Sequence, residues 1–114
     1  MKNFIWITTQ FEGFHTYKDA PDEVAFLRNE HRHMFHVKVW IEVYHNDRDI
    51  EFILFKNSIN DFLQTDGRLN NMSCEMISDE LYTHIHTFYD KRDVKIEISE
   101  DGENGSYKEY EKVK

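Results

Sequence analysis

From His31 to Tyr44 the side chains alternate: His31, His33, Phe35, Val37, Val39, Ile41 and Val43 fall on one face and Met34, His36, Lys38, Trp40, Glu42 and Tyr44 on the other. Period two is the mark of a strand, here with one strongly apolar face. Residues 3–17, NFIWITTQFEGFHTY, are rich in aromatic and β-branched types and carry no helical stripe, which predicts a long first strand with Gly13 as a candidate bulge. Between the two, Lys18 to Glu30 is polar, holds the single proline Pro21, and reads as a loop. His45-Asn46-Asp47-Arg48-Asp49 supplies turn chemistry after the second strand.

After Asp49 the period changes, because Phe52, Phe55, Ile59, Phe62 and Leu63 recur every three or four residues, as a helix burying one face requires. This first helix is expected to end near Asp66-Gly67. A second stripe, Cys74, Ile77, Leu81, Ile85 and Phe88, predicts a helix over 74–90 with Ser73 as its N-cap. Val94, Ile96 and Ile98 then alternate with Lys95, Glu97 and Ser99, and Asp101 to Gly105 turns the chain into a last strand over Ser106–Val113. The expected order is ββααββ, an α+β fold with a four-stranded antiparallel sheet and both helices on one face. Trp40 and Tyr44 beside Lys38 and Glu42 make the other face a mixture suited to a subunit contact or wet channel, so self-association is expected.

The length of 114 residues fits a single domain spanning 1–114, and 9 Phe, 6 Tyr and 2 Trp give it bulky groups for a core. A formal charge of −8 repels phosphate backbones, which argues against nucleic acid or an anionic membrane as partner. No apolar run reaches the length of a membrane span, and MKNFIWITTQ lacks the apolar core and cleavage site of a secretory signal. A soluble cytoplasmic setting is expected. One cysteine, Cys74, permits no intrachain disulfide and no cysteine-based zinc motif, so a metal site would rest on histidine and carboxylate.

His31 and His33 share a strand face, and His15 lies near the end of a strand expected to pair with theirs, so three imidazoles can converge on one ion. Three neutral imidazoles leave a zinc position open, the arrangement of a catalytic or substrate-binding metal. A His-x-His on a strand is also common as plain surface or hydrogen-bonded structure. His36 faces the other way, His84 and His86 sit on the second helix, and His45 lies in a turn.

At these residues the chain resembles the 6-pyruvoyl-tetrahydropterin synthase and 6-carboxytetrahydropterin synthase family, whose tunnel fold takes its zinc ligands from an early Phe-x-Ala-x-His and a later His-Gly-His. The matching stretches are Phe11-Glu12-Gly13-Phe14-His15 and His31-Arg32-His33. Further along, Ile50-Glu51-Phe52 with Phe55-Lys56 resembles the opening of the family's first helix, Asp66-Gly67-Arg68-Leu69-Asn70 a shortened Asp-His-x-x-Leu-Asn, and Met72-Ser73-Cys74-Glu75 its Pro-Thr-x-Glu. Val94 to Glu100 resembles the strand that brings a glutamate to the pterin ring, with Glu100 at the matching position. The resemblance implies zinc at His15, His31 and His33, a pterin or purine-like ligand read by Glu100 and touched by Ser73, and a hexamer of stacked trimers. A carboxylate can accept two parallel hydrogen bonds from such a ring edge, although Glu100 also reads as a solvated member of an acidic turn, and Ser73 as an ordinary cap.

The family's proton carriers are missing. Leu27 stands where a cysteine precedes the His-x-His, and Gly67 stands where the Asp-His segment has its histidine. Neither can exchange a proton. Cys74 falls on the apolar stripe and reads as core, which leaves Asp66 as a weak candidate base. Two functions are therefore expected to compete. One is a zinc-dependent lyase of tetrahydropterin or queuosine biosynthesis acting on a dihydroneopterin triphosphate-like substrate, with Arg28, Arg32, Arg68 or Lys18 as candidate phosphate partners. The other is a non-catalytic tunnel-fold protein that keeps the metal and the ligand, or acts as a structural subunit. A protein-interaction domain with incidental histidines is a third reading.

Overall fold

A computed structural model describes residues 1–64 and 71–113. The elements run β1 (Asn3–His15), a 3-10 segment (Asp22–Arg28), β2 (His31–Val43), α1 (Phe52–Leu63), α2 (Cys74–Phe88), β3 (Val94–Glu100) and β4 (Asn104–Tyr110). The strands form one antiparallel sheet in the order β1-β2-β3-β4. The fold is thus α+β. Directly opposed residues share a face, and the pairs Phe11↔Phe35, Val39↔Ile96 and Val37↔Ile98 put the apolar alternation of three strands on one side.

The helices cover that side, α1 against β1 and α2 against β3 and β4. Phe55 and Ile59 of α1, Leu81 and Ile85 of α2, and Phe35, Ile41, Ile96 and Ile98 of the sheet are all fully buried in one cluster. Both helices are capped by side chains: Glu51 accepts from the Leu54 N–H at 2.9 Å, and Ser73 accepts from the Met76 N–H at 3.2 Å. The apolar stripes overshoot the core at their ends, since Phe52 and Phe88 are exposed. Helix α1 closes at Leu63, earlier than the expected end at Asp66-Gly67, which lies outside the described residues.

Three expectations are corrected. Pairing is continuous through Gly13↔His33, so β1 has no bulge there. The Lys18–Glu30 connection is not a bare loop: it winds into a kinked 3-10 segment, anchored by Tyr17 N–H to the Leu27 carbonyl at 2.8 Å and by the Arg28 guanidinium to the Ala20 carbonyl. The last strand begins at Asn104 because its turn is only Asp101, Gly102 and Glu103, with Asp101 and Gly102 at φ of 58° and 72°. Gly105 is fixed by close approach, since a Cβ there would meet the Ile98 carbonyl oxygen at 2.1 Å.

The face away from the helices is aromatic and basic near its centre. Lys38 Nζ sits 4.4 Å from the Trp6 ring centroid and 4.7 Å from that of Trp40, whose ring meets Tyr107 edge-on. Glu42, expected on a wet face, is instead buried, because Lys112 folds over it and pairs with both carboxylate oxygens at 3.0 and 3.1 Å. No helix is long and apolar enough to cross a membrane among the described residues.

At the Val43 end of β2, Asp49 accepts from the Tyr44 N–H and from Arg92, both at 2.8 Å, while Arg92 also donates to the Glu42 carbonyl. The Arg92 guanidinium first, and the Tyr44 N–H second, hold the Asp49 carboxyl down to about 2. A carboxyl pKa lowered on folding contributes stability that is complete above its ordinary value near 3.8 and is lost as the pH falls towards 2. Asp49→Asn is therefore expected to lower stability at neutral pH and to flatten the decline between about pH 4 and 2. Urea titrations across that window check this; an unchanged acid slope in the variant would contradict the pairing.

Candidate metal centre

The period-two alternation and the register together build the site. His15 pairs directly with His31, and Gly13 with His33, so the three imidazoles rise from one face at one end of the β1-β2 ladder. Gly13 presents no side chain opposite His33, and the rings of His15, His31 and His33 stand 4.5 to 5.3 Å apart, centre to centre. One nitrogen from each of the three lies within 4.8 Å of the others. Phe35, fully buried, meets the His15 and His33 rings edge-on and forms an apolar floor.

Each ring is held by its Nδ1. His15 Nδ1 is 2.8 Å from the Met72 carbonyl, His31 Nδ1 is 2.9 Å from the Asn29 carbonyl, and His33 Nδ1 is 2.7 Å from Asp101 Oδ2. All three partners can only accept, so each ring donates from Nδ1, and a neutral ring then keeps its lone pair on Nε2. Asp101 is itself fixed, accepting from the Met34 N–H at 3.0 Å and donating its own N–H to the Met34 carbonyl at 2.7 Å. Those contacts, the His33 hydrogen bond foremost, hold its carboxyl below the ordinary carboxylate range.

The donor set passes a simple test of fit. His15 is 7% exposed, yet its Nε2, like that of His33, is buried without a hydrogen-bond partner. A buried polar atom without a partner is costly, and three Nε2 lone pairs in reach of one point are the set a borderline divalent cation such as zinc prefers. Carbonyl or carboxylate partners on the far nitrogen are the usual outer support of ligating histidines.

Beside the cluster opens a cavity of about 530 Å³, lined by His15, His31, Leu27, Ser73, Cys74 and Glu100 among others. Glu100 stands on the same face as the histidines because it pairs with Phe35 across β2-β3. Its Oε2 is 3.0 Å from His33 Nε2, and its Oε1 is 3.9 Å from both His15 Nε2 and Cys74 Sγ. Burial first, then the Glu100 and Glu75 carboxylates, push the Cys74 thiol up to about 12, so it is neutral and a poor nucleophile or ligand at neutral pH. Ser73 lines the cavity while capping α2; its hydroxyl accepts from Met76, which leaves its own proton to donate.

Of the remaining expected residues, Leu27 does line the cavity at the position considered for a cysteine, whereas Asp66, Gly67 and Arg68 lie outside the described residues. Arg28 is committed to Ala20 and Asp22, Arg32 points to Glu12, and among the described residues no lysine or arginine lines the cavity. His84 stacks on Phe62, and His36 lies near Gly102, both away from the cluster. Asp101 was not singled out in the sequence, where it reads as one acid of a turn; its spacing directly after Glu100 and opposite the His-x-His strand is the one signal it offers. No protein-family model matches the chain, and no curated protein matches it in sequence.

His15→Ala, His31→Ala and His33→Ala are each expected to lower bound metal sharply from about one ion per chain, whereas His36→Ala and His84→Ala leave it unchanged. Metal analysis after gel filtration reads this directly. Full retention in the His31→Ala, His33→Ala double variant would end the assignment.

Proposed function

We propose that this chain is a zinc-binding, tunnel-fold protein of the pterin synthase type that takes a small planar ligand, a pterin or purine, without carrying out the family's usual reaction. The observation that carries this reading is the His15-His31-His33 cluster beside a cavity, with the Nε2 atoms of His15 and His33 buried and unpartnered. The order of strands and helices is compatible with the tunnel fold, and of the stretches that resemble the family, His15, His31-Arg32-His33, Met72-Ser73-Cys74-Glu75 and Glu100 fall at the cluster or along the cavity, whereas Ile50-Glu51-Phe52 lies elsewhere.

The lining favours a ligand rich in hydrogen-bond donors. Glu75 and Glu100 contribute carboxylates to the cavity, and the imidazoles of His15 and His31 stand beside them. An amino group next to a ring N–H, the edge shared by pterins and guanines, is what a carboxylate such as Glu100 binds by two parallel hydrogen bonds. A triphosphate tail would need cations, and the described lining offers none. When bound, zinc supplies Lewis acidity to an oxygen of the ligand. Among the described residues the family's thiol proton carrier is missing: Leu27 lines the cavity and is inert, and Cys74 is buried and neutral. The observations therefore favour the binding reading over the lyase, in the cytoplasm as the setting where the lone thiol stays reduced.

A closed assembly belongs to the same reading. β1 and β4 are edge strands, and joining sheets between copies removes such edges. Light scattering is expected to report a multiple of the 13.9 kDa chain, a hexamer in the family pattern. A monomer at micromolar concentration would contradict it.

With metal loaded, turnover of dihydroneopterin triphosphate is expected to fall at least about 10²–10⁴-fold below a competent synthase, because both proton carriers are replaced. Equilibrium binding of a pterin or guanine is expected to persist. Turnover at a normal rate would overturn the binding reading.

A further inference from the structure

We infer that Glu100 is a fourth protein ligand of the metal, making the ligand-free site a three-histidine, one-carboxylate set instead of an open one; this rests on the metal reading above. The contact between His33 Nε2 and Glu100 Oε2, 3.0 Å, is the key observation. His33 already donates from Nδ1 to Asp101, so in the neutral ring both facing atoms carry lone pairs. Two lone pairs at that separation repel unless a cation lies between them. A second ring proton would serve if it pointed at the carboxylate, but His33 Nε2 makes no hydrogen bond, so the contact lies off that direction.

A metal ion resolves the contact. In a tetrahedral site with bonds of about 2.0–2.1 Å, neighbouring donor atoms stand about 3.3 Å apart. Glu100 Oε2 lies 3.0 Å from His33 Nε2 and Oε1 lies 3.9 Å from His15 Nε2, so the carboxylate reaches two of the three imidazoles at separations on either side of that spacing. The backbone makes the placement systematic: Glu100 pairs with Phe35, two residues from His33 on the same face, so the carboxylate reaches His33 along the diagonal of the ladder. One negative charge also halves the charge of a divalent ion above the apolar Phe35 floor, where an uncompensated charge is costly. A planar ligand entering the cavity would then find Glu100 engaged by the metal and would have to displace it to use the same oxygens.

The test uses Co2+ alone, whose visible absorption changes with its ligand set, titrated into the metal-free full chain and its variants. Wild type is expected to bind one ion; Glu100→Gln and Glu100→Ala are expected to bind it at least about 10-fold more weakly with an altered spectrum. Glu75→Gln, which removes a cavity carboxylate not in contact with the histidines, is expected to keep the wild-type spectrum and to lose less affinity. Wild-type affinity and spectrum in both Glu100 variants would overturn the fourth ligand while leaving the three-histidine site standing. An equal loss in Glu75→Gln without spectral change in the Glu100 variants would overturn it in favour of diffuse charge. Absence of Co2+ binding in wild type would overturn both readings.

Discussion

The site depends above all on the register between β1 and β2. Pairing His15 with His31 places the third imidazole beside the other two, and the same register pairs Phe11 with Phe35 in the core. A slip by one residue would turn every β1 side chain to the opposite face, exposing Ile7 and Phe11 and removing His15 from the cluster together. Stability of the core and assembly of the three histidines are therefore one constraint. The apolar face that the helices cover continues without a break into the imidazoles, which stand at its end.

Around that constraint the two ends of the sheet do different work. At the Val43 end, Asp49, Arg92, Glu42, Lys112, Asp93 and Lys2 neutralise one another and tie the turns and the last residues of the chain to the strands. At the His31 end charge is left less balanced, with imidazole lone pairs facing inward and the Glu100 carboxylate against them. A structural cluster would pair its polar atoms as the far end does. Unpaired Nε2 atoms over a phenylalanine are what a site awaiting a cation would retain.

Much of this was legible from alternation. The four strands, the two helices and the shared face of His31 and His33 follow from side-chain periods, which burial enforces directly. The ends of elements were less legible, because Phe52 and Phe88 continue an apolar stripe past the point where the core stops. Glu42 misled for a related reason: its partner Lys112 lies 70 residues away, and local pattern carries no trace of so distant a contact. Two of the three groups that orient the imidazoles are the carbonyls of Met72 and Asn29, which any residue type could supply and no sequence pattern marks. Glu100 was legible as a candidate through the family resemblance, but its approach to His33 emerges only from the β2-β3 register.

X-ray absorption at the zinc edge of freshly purified protein tests the central claim most directly. The account predicts zinc with a first shell of nitrogen and oxygen at about 2.0–2.1 Å and the outer-shell scattering of imidazole rings. Protein free of metal under conditions that preserve bound zinc, or a shell containing sulfur at about 2.3 Å, would contradict it.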